Sequence, residues 1–388
     1  MKKALTALAF GTFGLGIAEY VMMGILPFVA GDFRVSIPQA GHLISAYALG
    51  VCAGAPIVAV FARKWPLKRI LYLLVLVMIA ASFAMALCTR FEWMLVFRFF
   101  AGLPHGAYFG VGSIVADRLS REGNATFAVA VMCSGMTVAN LVGIPLGTFL
   151  TSIFSWRLVF GFSGIWNIVT LVVVARWIPK MDALPDSGLK REFSFLKNLA
   201  PWLLIFATML GNAGVFCFYS YVSPTLTQLA GVPVSWISGM MVLSGAGMVI
   251  GNLSGGKLSD RFGKGRTCRG LEIAICVCLV LIFLTAHLAW CLIPLMFLVC
   301  GCLFAISSPQ QLLLLRFSEG GELMGGAMVQ LAFNLGNAVG AWLGGLPIEE
   351  SSPVTYRYSA AIGAVLAVLG VGCYLIFCRK FEISRAEK

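Results

Sequence analysis

Twelve stretches of about 20 apolar residues follow one another along the chain, each long enough to cross ~30 Å of hydrocarbon as a helix. We read them at 4–30, 38–61, 70–88, 93–116, 125–150, 157–178, 201–222, 234–257, 269–287, 290–312, 323–346 and 357–378. Lipid offers the backbone no hydrogen-bond partners, so each run must satisfy its own N–H and C=O groups, as a helix does. With 60% hydrophobic and 11% charged residues, the chain lacks the polar surface that a water-soluble domain needs. Met1-Lys2-Lys3 before the first run resembles a signal peptide. Glu19 interrupts that run and no small-residue cleavage site follows, so it is expected to be a retained span. The twelve cysteines lie almost entirely in apolar runs without paired CxxC sets, which points to neither a metal nor a disulfide framework.

The net charge of +12 is distributed as a topology signal. If the N-terminus is cytoplasmic, only Arg34, Arg90, Arg157 and Arg357 fall outside. Arg98 lies within a span, and the other basic residues are cytoplasmic. That asymmetry predicts cytoplasmic N- and C-termini and argues against a nucleic-acid footprint.

The longest polar stretch, 179–200, separates two halves that resemble one another. An offset of 197 places Asn140, Gly143 and Gly147 on Asn337, Gly340 and Gly344, and an offset of 200 places Gly11 and Gly14 on Gly211 and Gly214. The predicted organisation is an N-terminal six-helix bundle (1–178), a cytoplasmic linker (179–200) and a C-terminal six-helix bundle (201–388). The fold class is all-α membrane protein with twelve transmembrane helices. Such repeats are expected of carriers that rock two bundles about a midplane site, although channels also contain them.

The segment Gly256-Lys257-Leu258-Ser259-Asp260-Arg261-Phe262-Gly263-Lys264-Gly265-Arg266 resembles the loop signature of the major facilitator superfamily. The resemblance implies a cytoplasmic conformational latch built on Asp260, Arg261, Gly263 and Arg266. The first-half copy departs from the pattern, with Arg63 at the Asp position and Pro66 at a Gly position. Arg98-Phe-Phe-Ala-Gly102 is similar to the family's RxxxG element. Gly135-Met-Thr-Val-Ala-Asn140-Leu-Val-Gly143-Ile-Pro145-Leu-Gly147 is similar to its span-5 antiporter motif. Small residues there permit close helix approach and Pro145 permits a kink, either for a pivot or simply for packing. Together with Gly11 through Pro27 and Gly102 through Gly110, these motifs resemble sugar-efflux members of the drug:proton antiporter-1 family. The resemblance implies a monomeric carrier of the bacterial inner membrane that exports sugars or amphipathic compounds. A proton gradient would be its energy source, and no cofactor is implied.

Glu19 is read as the only acidic residue deep in a span, with Glu272 placed near the cytoplasmic start of its own. Arg98 is the only deep basic residue. Glu19 should sit ~21 Å from the cytoplasmic edge and Arg98 ~8 Å below the outer edge of a ~30 Å core, so their heights agree. Burial disfavours a carboxylate and a nearby guanidinium favours it, so moving either partner could toggle proton affinity. A static bridge pinning two helices is the alternative. His105, two turns beyond Arg98, could relay protons or bond a carbonyl freed beside Pro104. Asn140, Asn212, Asn334 and Asn337 offer amides to a hydroxyl-bearing substrate; any one could instead make an interhelical hydrogen bond, the preferred reading for Asn337. Tyr20, Met23, Met136, Phe216 and Tyr219 could form an adaptable apolar wall or merely pack. The charged chemistry is thereby expected in the first half alone.

No HExxH, GxSxG or P-loop pattern occurs, so an enzyme or ATP-driven pump is not indicated. A channel would favour a continuous polar pore. A multidrug antiporter, a proton symporter and a facilitative uniporter remain open beside the sugar exporter.

Overall fold

The computed structural model describes residues 2–61, 65–119, 125–183, 194–318, 322–349 and 351–382. The helices that build it are α1 (Lys2–Phe33), α2 (Ile37–Phe61), α3 (Leu67–Ala86), α4 (Phe91–Leu119), α5 (Ala125–Val138), α6 (Ile144–Ile153) and α7 (Trp156–Trp177). They continue as α8 (Leu199–Tyr219), α9 (Ile237–Phe262), α10 (Lys264–Thr285), α11 (Ala289–Arg316), α12 (Glu322–Gly345) and α13 (Tyr356–Phe377). No strand occurs among the described residues.

Eleven described segments are long and apolar enough to cross a membrane. α12 is not among them: Gln330, Asn334 and Asn337 dilute its apolar surface. Several helices outrun the apolar runs read from the sequence. α9 extends to Phe262 and α11 to Arg316, because a helix continues through polar residues once it leaves the hydrocarbon.

The predicted fifth span is continuous but locally widened. Between α5 and α6 lies a π-helical turn, Ala139–Gly143, in which the N–H of Ile144 reaches back to the carbonyl of Ala139. Pro145, which lacks an N–H to donate, follows immediately. The wider turn absorbs the lost hydrogen bond where a regular helix would be strained.

The internal repeat is visible in the packing. α1 packs on α5 and α7, α2 on α4, and α3 on α4 and α7. Correspondingly, α8 packs on α12 and α13, α9 on α11, and α10 on α11 and α13. Residues aligned by the offset of 197 do the same job in each half. A Cβ at Gly143 or Gly147 would press on Ile17 or Val21 of α1, and one at Gly340 or Gly344 would strike the backbone of α8. The two halves meet along α2 against α12 and along α9 against α6 with its π turn. Ser45 donates to the carbonyl of Ala338 at 2.9 Å and Ser238 to that of Pro145 at 2.7 Å across these seams.

Outward-facing positions are apolar, including Ile165, Val172, Val277, Leu284, Val365 and Leu369. The buried set contains Glu19, Arg98, His105, Asn140, Asn212, Glu272, Asn334 and Asn337. That inverts the order of a soluble protein, as lipid surroundings require.

Candidate functional site

Glu19 lies midway along α1 and is 6% exposed. Its carboxylate is shared between the halves: Asn337 Nδ2 of α12 donates to Oε1 at 3.3 Å, and His105 Nδ1 of α4 stands 3.8 Å from Oε2. His105 and the Tyr47 hydroxyl of α2 share a 3.0 Å hydrogen bond. His105 thus faces the carboxylate, not a carbonyl freed beside Pro104.

Arg98 is fully buried. Its Nε donates to the carbonyl of Leu43 at 3.0 Å and its Nη1 to that of Ala18, while the guanidinium lies 4.4 Å from the centre of the Tyr47 ring. Its Nη2 has no hydrogen-bond partner. Arg98 and Glu19 line one narrow gap with Met23, Tyr47, Phe216 and Asn337, near enough for their charges to interact. The matched heights read from the sequence therefore describe real neighbours. The direct bridge does not form, because backbone carbonyls and an aromatic face take up the guanidinium while Asn337 takes up the carboxylate.

The expected apolar wall is brought together in part. Tyr20 packs near Phe216 and Phe304, with ring centres 6.3 and 6.1 Å apart, and Phe216 stands 6.3 Å from Tyr219. Met23 lines the gap, whereas Met136 lies against Gly16, where α5 meets α1. The amides divide differently from the expectation. Asn212 and Asn334 donate to carbonyls of their own helices, those of Thr208 and Gln330, each at 2.9 Å. Asn140 is buried with its Oδ1 unpaired, and its backbone carbonyl lies against Gly245 of α9. Asn337 does make the interhelical bond read from the sequence, and its acceptor is Glu19 itself.

Tyr47 was missed. Its signal is a stripe at i, i+3 and i+7: the carbonyls of Phe99 and Leu103 occupy the space beside Gly50 and Gly54, and the Tyr47 carbonyl lies against Gly102. That stripe marks the face of α2 turned to α4, the helix of Arg98 and His105.

Glu272, expected near the cytoplasmic start of its span, is enclosed within the second half. It is fully buried between α8 and α13, where a Cβ at Gly211 or Gly370 would meet its carboxyl. Among the latch residues, Gly263 adopts φ +86° and reverses the chain between α9 and α10, a conformation that favours glycine. Arg261 and Arg266 are exposed, while Arg63 and the Asp260 side chain lie outside the described residues. Gly135 of the antiporter motif faces the carbonyl of Ala9 on α1.

The sequence profile of the Major Facilitator Superfamily matches residues 8–328. AraJ of Escherichia coli (strain K12) is 42% identical over 98% of this chain and 96% of its own length. A chloramphenicol resistance protein of Streptomyces lividans is 31% identical over 88% of each chain. The fold is similar to the crystal structure of a nucleoside transporter NupG mutant, with TM-score 0.77, 14% identity and coverage of 96% of this chain and 98% of that one. The end-to-end identity with AraJ, the profile match and the shared helical fold agree: the chain belongs to the Major Facilitator Superfamily, a family of multi-pass membrane transporters and not of enzymes.

Proposed function

We propose that this transporter is a proton-coupled exporter of small polar solutes, sugars first, with Glu19 as its protonation switch. The observation that carries the reading is the position of the Glu19 carboxylate, which accepts a hydrogen bond from Asn337 of the other half and has His105 of its own half 3.8 Å away. A carboxylate accepts from an amide donor, and protonation removes much of that acceptor strength. Gaining or losing a proton at Glu19 therefore changes how firmly the two halves are tied, which is what coupling a gradient to alternating access requires. Arg98, fixed by carbonyls, supplies a stationary positive field beside the switch and does not move as its partner.

In this reading residues 1–178 and 201–388 rock as two six-helix bundles joined by 179–200. Twelve spans leave both termini in the cytoplasm of a bacterial inner-membrane monomer. Export is favoured by the antiporter-like motif at Gly135–Gly147 and by the likeness to a chloramphenicol resistance protein. Amphipathic drugs are the second substrate class, because Tyr20, Met23, Phe216 and Tyr219 offer an apolar, adaptable wall beside the charged groups.

Transport in proteoliposomes carrying an internal pH dye tests this across a panel of sugars and cationic drugs. Substrate-evoked proton movement that disappears in Glu19→Gln supports coupling at Glu19. Substrate flux without proton movement, unchanged in Glu19→Gln, would leave a facilitative carrier.

A further inference from the structure

Glu272 is a buried carboxyl to which the Glu19 mechanism gives no task. It lies two turns into α10, fully enclosed, and neither carboxyl oxygen has a hydrogen-bond partner. The protein makes deliberate room for it, since Gly211 of α8 and Gly370 of α13 leave the space its carboxyl fills. The titratable groups near it are Cys276 on its own helix, Cys302 on α11, and Cys373 and Tyr374 on α13, all uncharged as thiol or phenol. α8 and α9 contribute none, and no Lys, Arg or His compensates it among the described residues. A buried carboxylate with no protein cation or hydrogen-bond donor beside it is strongly disfavoured, whereas the neutral acid is tolerated.

The corresponding helices of the first half show what structure alone demands. There α1, α3 and α7 enclose Ser82, Ser163 and Asn167, with Asn167 Nδ2 donating to Ser82 Oγ at 3.4 Å. Gly14 of α1 faces the Asn167 amide as Gly211 of α8 faces the Glu272 carboxyl. Neutral polar groups suffice to fill that place, so the acid in the second half is surplus to packing.

We propose that Glu272 is a second proton-binding site, located in the C-terminal half, independent of Glu19 and occupied by a proton in this conformation. On release the O–H bond breaks, the electron pair stays on the carboxylate and the proton passes to water. This goes beyond the Glu19 reading and stands or falls separately from it.

Infrared spectroscopy of the purified full-length protein in liposomes tests the proposal through the carbonyl stretch of a protonated carboxylic acid. The expected result is such a band at neutral pH that is lost on alkaline titration, persists in Glu19→Gln and is absent from Glu272→Gln. Glu272→Asp, which keeps the acid, should move the band without removing it, a control that holds if the glutamine variant folds poorly. Dye-monitored titration should show Glu272→Gln releasing one proton fewer than the parent over the same range. A spectrum with no Glu272-dependent band at neutral pH, or one whose band is unchanged up to the alkaline limit of the fold, overturns the proposal. Loss of proton-coupled transport in Glu19→Gln with the Glu272 band intact would support both readings. An intact band in a carrier that moves no protons would defeat the Glu19 reading alone.

Discussion

Asn337 and Glu19, 318 residues apart in sequence, are joined by a 3.3 Å hydrogen bond from an amide of one half to a carboxylate of the other. A hydrogen bond to a charged group is worth roughly 1.5–3 kcal/mol, and exchange of partners within the membrane reduces this to about 1 kcal/mol. Asn337→Ala is therefore expected to lower proton-coupled flux several-fold in proteoliposomes. In the Glu19→Gln background the same substitution should add little, because the charged acceptor is already gone. Additive losses in this double-mutant cycle would show that the two residues act separately.

Arg98 holds α1 and α2 to α4 through the carbonyls of Ala18 and Leu43. Arg98→Ala removes two buried hydrogen bonds to carbonyls that lie inside the helices α1 and α2, at about 1 kcal/mol each, and should lower the thermal midpoint of the detergent-solubilised protein. Arg98→Lys keeps the charge but not the fork that reaches two carbonyls, so an intermediate midpoint is expected. Equal stability of Arg98→Ala and the parent would contradict the bracing role.

Gly344 lies so close to the backbone of Cys217 that a Cβ would meet main-chain atoms, whereas Gly239 and Gly372 have open space. Gly344→Ala should cost about 1–3 kcal/mol by overpacking. Gly239→Ala and Gly372→Ala should be near neutral, and thermal unfolding of the three variants side by side provides the comparison.

Lys68 Nζ donates to the carbonyls of Ala175 and Ile178 at the end of α7, which would otherwise lack partners. Lys68→Met, which keeps the stem but removes the donor, is expected to reduce stability by about 1 kcal/mol. An unaltered midpoint would show that water replaces the ammonium.

Much of the architecture was legible in the sequence because lipid imposes a simple rule. A backbone in hydrocarbon must be helical, so the apolar runs map onto helices and the 197-residue offset maps onto matched packing partners. α12 is the instructive exception: it is a helix like the others, yet its three amides dilute the apolar signal, and Asn337, one of them, belongs to the site. The π turn at Ala139–Gly143 was less legible. Pro145 signals a disturbance there but does not say whether a kink or a wider turn will absorb it.

The sequence by itself determined that the chain lives in lipid, repeats itself, and buries Glu19 and Arg98 at similar height, because those properties follow from hydropathy, spacing and helical rise. Only the tertiary structure decided who partners whom. Glu19 and Arg98 line one gap, yet the carboxylate is held by Asn337 and the guanidinium by two carbonyls and Tyr47. Glu272, placed near a span's edge by counting residues, is enclosed because Gly211 and Gly370 on two distant helices make room for it. Rotation about each helix axis and the choice of facing helix arise from packing over hundreds of residues, and no local pattern encodes them.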